Sequence, residues 1–172
     1  MKKFFLILSC LLLSAGSGYA QKFALVDSEY ILNNIPAYKT AQAQLDRDSQ
    51  AYQKEVEEKY AAVEKMYKAY QTERSVLTEQ MRAKREEEII KLETEAKELQ
   101  KKYFGEEGEI FKKREALLTP IQDQVYEAIK AMATEEGYAV VFDTATAGNV
   151  IYANPKNDRS DAILQRLGYK NN

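Results

Sequence analysis

The sequence contains no histidine and only one cysteine, Cys10, in 172 residues. That cysteine falls in a segment that reads as removable. Lys2 and Lys3 precede an apolar run from Phe4 to Leu13, and Gly18-Tyr19-Ala20 stands as a small-x-small site before Gln21. A charged start, a short apolar run and a small-residue site are the parts of a secretory signal peptide, so residues 1–20 are expected to be cleaved. A lipid anchor at Cys10 does not fit, because only Phe4 to Ser9 lies between it and the lysines. The expected mature chain then has neither thiol nor imidazole. It cannot staple itself with disulfides, so packing alone must stabilise it. It also lacks a thiolate nucleophile, an imidazole base and the ordinary zinc or copper ligands. No enzyme activity and no cofactor are expected.

Two further things are missing. No apolar run is long enough to span a bilayer as a helix, since Phe4 to Leu13 falls short and nothing later approaches it. There is also no excess of positive charge. Lys and Arg number 25 against 27 Asp and Glu, for a net charge of −2. Loss of Lys2 and Lys3 makes the remainder more acidic still. Such a chain is a poor partner for a phosphate backbone, and no nucleic acid is expected. Charged residues make up 30% of the chain and alternate in sign, which suits long solvated helices.

What is present is a heptad rhythm. Val56, Tyr60, Val63, Tyr67, Tyr70, Leu77 and Met81 alternate spacings of four and three, with Arg74 in one slot and Leu45 and Tyr52 upstream. Ile89, Leu92, Ala96, Leu99 and Tyr103 repeat it, and Ile110, Leu117, Ile121, Val125, Ala128 and Met132 extend it. Apolar spacing of this kind, sustained over several heptads, signals a coiled coil. One straight helix of this length would reach roughly 150 Å, so a hairpin with arms on the order of 50–60 Å is expected. The stripe thins between Gln71 and Arg85, which places the tip near residues 75–79. A second candidate turn, Gly105-Glu106-Glu107-Gly108, would make the arms unequal and is read as a bend. Thr119-Pro120 should bend or restart the returning helix.

Short strands and helices flank the hairpin. Lys22 to Asp27 reads as a strand, and Asp27-Ser28 should cap a helix through Leu32. Pro36 suits the first turn of the long helix. Gly137 fits a helix end, Tyr138 to Asp143 a second strand and Asn149 to Ala153 a third. Asp158 and Asp161 open a terminal helix carrying Ile163, Leu164 and Leu167, which Gly168 ends. The expected fold class is α+β, mainly α: a long antiparallel coiled-coil hairpin over residues 37–136 on a small β-stranded body made of residues 21–36 and 137–172. Three short strands make a poor independent core. Yet they carry Phe23, Leu25, Val140, Phe142 and Ile151, all large and apolar. A closed oligomer sharing one core resolves this.

The order of these pieces resembles the Skp/OmpH family of periplasmic chaperones, in its Bacteroidetes-like form. The resemblance rests on Phe23-Ala24-Leu25-Val26-Asp27-Ser28-Glu29-Tyr30-Ile31-Leu32 with Ile35-Pro36, and on Gly137-Tyr138-Ala139-Val140-Val141-Phe142-Asp143. Tyr152-Ala153-Asn154-Pro155, Asp158-Arg159-Ser160-Asp161 and Leu164-Gln165-Arg166-Leu167-Gly168 complete it. It implies a homotrimer in the periplasm whose hairpins surround a cavity. That cavity would hold unfolded outer-membrane or other exported proteins without ATP. The best-known members are basic, whereas this chain is acidic.

Two groups become candidate contact residues. Tyr52, Tyr60, Tyr67, Tyr70 and Tyr103 lie on or near the heptad face. They either pack the hairpin or, as amphipathic rings, meet a client. Arg74, Arg82, Lys84 and Arg85 cluster at the expected tip. They are either a solvated turn or a peripheral contact with acidic clients or lipid head groups. Glu86-Glu87-Glu88 and Glu106-Glu107 read as a solvated helix face, since catalytic carboxylates need a shaped pocket. A coiled-coil spacer of the cell envelope without clients is the rival reading.

Overall fold

The computed structural model describes residues 22–146 and 150–169. The expected signal peptide, residues 1–20, lies outside the described residues. The chain runs through β1 (Phe23–Val26), α1 (Ser28–Asn33), α2 (Pro36–Glu73), α3 (Glu79–Phe104), α4 (Glu109–Glu136) and β2 (Val140–Asp143), then a 3-10 turn (Pro155–Asn157) and α5 (Ser160–Arg166).

Local chemistry sets most of these limits. The Asp27 side chain accepts a hydrogen bond from the Tyr30 amide at 2.8 Å and so caps α1. Pro36 opens α2, where its missing N–H costs nothing. The 38 residues of α2 extend about 57 Å. Arg74–Leu77 forms the tip, and Thr78 caps α3 by accepting from the Met81 amide. The turn therefore falls where the stripe thins. Val56, Val63 and Tyr70 on α2 and Ile89, Ala96 and Tyr103 on α3 are the buried positions, each series seven residues apart.

The returning limb differs from expectation at two places. The Gly105–Gly108 segment is a full break between α3 and α4, where the sequence suggested a bend. Both glycines are extended, and neither site has room for a side chain. A Cβ at Gly105 would stand 2.5 Å from the Lys101 carbonyl oxygen, and one at Gly108 2.7 Å from that of Tyr103. Pro120, by contrast, lies inside an unbroken α4. It takes away one helical donor while Leu118 and Val125 on either side stay buried in packing. Below the break, Leu118 of α4 packs with Ala41 and Leu45 of α2.

The body joins the two ends of the chain. β1 and β2 pair in parallel, with Phe23 opposite Val140 and Leu25 opposite Phe142. Alternation splits this sheet into two faces. Ala24 and Val26 turn inward, onto a core with Ile31, Val125, Met132, Ile163 and Leu164. Phe23, Leu25, Val140 and Phe142 share the outer face. Gly137 ends α4 at φ 70° and Gly168 follows α5 at φ 85°, both in the left-handed region that favours glycine. The expected third strand does not form across 150–153, the described part of that segment. β1's second edge is instead bridged by Asp158, and the Arg159 amide donates to the Leu25 carbonyl at 2.9 Å. Among the described residues, the 150–153 segment joins no ladder.

A hydrogen-bonded clasp ties the termini together. Asp143 accepts from the Ser28 amide at 3.1 Å and the Ser28 hydroxyl at 2.6 Å. The Asp27 amide donates to the Ser160 hydroxyl oxygen at 2.8 Å, and that hydroxyl donates to Asp158. Burial pushes the Asp143 carboxyl up, but the Ser28, Ala145 and Thr146 donors outweigh it and hold it below the usual carboxylate range. Asp143→Asn is therefore expected to cost about 1–2 kcal/mol of unfolding free energy near neutral pH. The folded-state value is depressed. Its contribution is complete above the unfolded value of about 3.9 and is lost as pH falls through the folded one. Urea titrations near neutral pH and at about pH 3 check this, because the gap between parent and variant should shrink at the lower pH.

Candidate functional site

The arm offers a long surface, and its five candidate tyrosines divide into two sets. Three close the hairpin. Tyr52 of α2 and Tyr103 of α3 stack with ring centroids 4.0 Å apart and planes 3° from parallel. The Tyr103 hydroxyl donates to Glu55. Lys113 of α4 lies 5.2 Å from the Tyr52 ring centroid and donates to Asp48 at 2.6 Å. Near the tip, the Tyr70 hydroxyl donates to Glu86 across the hairpin. These bonds leave their mark on the titrating groups. Carboxylate acceptors raise the Tyr70 and Tyr103 hydroxyls above the usual phenol range. The Lys113 bond lowers Asp48, and Asp48 raises Lys113. Each of these four shifts favours the ordinary charge state of its group, so Asp48, Tyr70, Tyr103 and Lys113 act as fasteners.

Tyr60 and Tyr67 are different. One heptad apart on α2, they flank the buried stripe and are exposed, Tyr67 to 48%. The Tyr60 hydroxyl donates to the Gln100 side chain of α3 at 2.9 Å. With Val56, Gln100 and Phe104 it lines a groove of about 380 Å³ along one side of the arm. Phe104 is exposed there, and so is Ile90, two heptads earlier on α3. The sequence reading missed Phe104 and Ile90 because neither falls on the heptad stripe. The signal available was that both are large apolar residues placed off the packing face. Tyr60 and Phe104 share this groove, and exposed Tyr67 and Ile90 lie nearer the tip on the same two helices.

The tip is electrically mixed. Arg85 lies 3.7 Å from Glu73 and 3.2 Å from Glu88. The Arg82 Nε donates to the Leu77 carbonyl at 3.1 Å and so holds the turn. Arg74 and Lys84 are exposed, beside exposed Val76 and Met81. The four basic residues therefore meet at the tip, but two of them are engaged with it. On the body, Phe23, Val140 and Phe142 are half-exposed and Ile151 is fully exposed. Leu25 is buried, beneath a loop that includes Val150, Ala153 and Pro155. The Phe23 and Phe142 rings meet edge to face with centroids 6.3 Å apart. Among the described residues no cluster of three or more His, Cys, Asp or Glu is placed to hold a metal ion. Nor is any described helix long and apolar enough to cross a membrane.

Comparison with known proteins agrees with this architecture. The family model described as outer membrane protein (OmpH-like) matches residues 22–167. A protein of Aquifex aeolicus (strain VF5) without functional description is 27% identical over 167 residues, covering 97% of this chain and 96% of that one. Chaperone protein Skp of Yersinia enterocolitica is also 27% identical, over 165 residues, covering 91% of this chain and 92% of its own. A crystal structure of an OmpH-like outer membrane chaperone from Caulobacter crescentus CB15 superposes with a TM-score of 0.64. It is 16% identical and covers 87% of this chain and 86% of its own. At that identity the match speaks for the fold.

The two sets of tyrosines should respond differently to truncation. Tyr103→Ala removes a stacked ring and a cross-hairpin hydrogen bond, and is expected to lower the melting midpoint by several degrees. Tyr67→Ala is expected to change stability by no more than about 0.5 kcal/mol, as exposed substitutions do. Thermal melts followed by far-UV circular dichroism check both. Equal destabilisation by the two variants would contradict the division.

Proposed function

The chain belongs to the OmpH-like family, and from that premise we propose that it is an ATP-independent periplasmic holdase. It would bind unfolded outer-membrane or other exported proteins between the arms of a homotrimer and keep them from aggregating. The observation that carries this reading is the exposure of Tyr60, Tyr67, Phe104 and Ile90 along α2 and α3, beside a buried stripe that closes the hairpin. An unfolded chain presents scattered apolar side chains and unpaired backbone groups. Tyrosine rings serve both, through an apolar face and a hydroxyl. Each contact is weak, and several arms acting together supply affinity by multivalency. Release then needs no chemistry, only a better sink for the client. Enclosed strands cannot pair with another copy, which suppresses aggregation.

The body supports oligomerisation, and the number three comes from the family resemblance. Phe23, Val140 and Phe142 are half-exposed on the outer sheet face, and copies brought together would share it as a core. Removal of residues 1–20 on export would place the mature chain in the periplasm. At the tip, exposed Val76 and Met81 beside Arg74 and Lys84 suit a peripheral touch on a lipid surface.

The test dilutes a urea-unfolded outer-membrane β-barrel into the assembled mature chain without nucleotide, followed by light scattering and native mass spectrometry. The expected result is suppressed scattering and a multi-chain species that gains one client. The triple variant Tyr60→Ser, Tyr67→Ser, Phe104→Ser should keep the oligomer and lose most of the suppression. An oligomer that ignores the client would favour the structural spacer.

A further inference from the structure

Resting on the removal of residues 1–20 proposed above, we infer that the new chain end is a modification site. Gln21 closes into a pyroglutamate lactam, and the closed end shields β1 from aminopeptidases.

The chemistry is contained in one residue. A cut after Ala20 leaves Gln21 as the first residue of the mature chain. An N-terminal glutamine carries a free α-amine and a side-chain amide. The neutral amine attacks the side-chain carbonyl carbon, Cδ. A new C–N bond closes the lactam and the bond from Cδ to Nε2 breaks. That nitrogen takes one proton from the amine and leaves as ammonia. No oxidant, nucleotide or second substrate is consumed. Both reacting groups belong to one residue, so the step has the advantage of an intramolecular reaction. An α-amine has an ordinary pKa of about 8, so a neutral fraction is present near neutral pH.

The neighbouring residue shows why this end matters. Lys22 is exposed and directly precedes β1. Its carbonyl accepts from the Ala139 amide at 2.7 Å, which extends the β1–β2 pairing by one step. Its Nζ donates to the Glu136 carbonyl at 2.9 Å and lies 4.4 Å from the Tyr138 ring centroid. Tyr138 is buried, and its hydroxyl accepts from the Arg159 Nε at 2.8 Å. Lys22 thus clips the start of β1 to the end of α4 and the approach to β2. Only Gln21 stands between this clip and the mature chain end.

Proteolysis concentrates at chain ends. An aminopeptidase that removed two residues would take Gln21 and Lys22, and the clip with them. The next residue, Phe23, is the first of β1 and pairs with Val140. A sheet of two short strands has little to lose before it comes apart. Aminopeptidases recognise a free α-amine. The lactam has none, because its nitrogen is an amide without charge. Cyclisation therefore closes the route by which β1 would be trimmed from its end.

The experiment isolates the mature chain from the cells that export it. Intact mass and Edman degradation are measured on the fresh chain and again after storage at neutral pH. The expected mass is that of residues 21–172 less one ammonia, complete in the fresh sample, with Edman degradation blocked. Gln21→Ala is expected at full mass with an open end. During incubation with a broad aminopeptidase the parent should keep its mass. The variant should lose the substituted residue and Lys22, and its melting midpoint should fall by several degrees. A free amine on Gln21, or ammonia lost only on storage, overturns the inference and leaves the cleavage reading standing. A chain that begins at another residue overturns the cleavage reading and the inference together. A variant as resistant to the aminopeptidase as the parent overturns the shielding of β1.

Discussion

Burial of one narrow stripe along α2 and α3 is the interaction on which the rest of the molecule depends. Val56, Val63 and Tyr70 against Ile89, Ala96 and Tyr103 hold two helices together over most of the arm's length. Two helices enclose nothing. Every side chain off the stripe is in water or at the rim, so the arm can offer surface but no enclosed pocket. Catalysis needs groups withdrawn from solvent and aimed at a reacting atom. Recognition of an extended, variable partner needs only a long face with repeated weak contacts. The thinness of the arm thus favours recognition before any residue is named.

That arm hangs on a body made from the chain's two ends. β1 and β2 are separated in sequence by the whole hairpin, yet they form one sheet, and Ser28 and Asp143 are bonded across 115 positions. Closing so long a loop costs entropy, though the cost grows only slowly with length. Once the hairpin has formed, most of that loop is rigid and its ends are already near one another. The body can then be small. The Asp143 and Ser160 bonds align the strands, the inward residues bury themselves, and Phe23, Val140 and Phe142 stay half-exposed on the outer face.

How much of this was legible in the sequence depended on whether the signal was local. The Asp27 cap, Pro36 at a helix start and Gly137 at a helix end act within a turn, and each was readable. The tip was readable from where the stripe thins. The Gly105–Gly108 break was read only as a bend, since the clash of a side chain with the Lys101 and Tyr103 carbonyls exists only in the folded turn. At Pro120 the helix continues without a restart, with Leu118 and Val125 buried on either side of it. Among the tyrosines, heptad counting could not separate Tyr52 and Tyr70 from Tyr60 and Tyr67, because one helical position decides between the seam and its flank. The 149–153 segment has strand composition, but strand propensity is realised only against an edge.

The acidic balance of the chain sharpens the argument about binding. A strongly basic protein can gather acidic clients at long range, and salt weakens that attraction. Here the net charge is −2, and Arg85 at the tip is met by Glu73 and Glu88. Long-range steering therefore has little to work with. On the proposed holdase reading, short-range contact would carry the binding, which returns the weight to Tyr60, Tyr67, Phe104 and Ile90. Rings and hydroxyls of this kind act only at contact, are little affected by ionic strength and discriminate poorly among unfolded sequences. Poor discrimination is an asset when clients share little beyond being unfolded. It would also keep each contact weak, so that under the proposed function a client beginning to fold would withdraw its apolar groups and leave without energy from the holder.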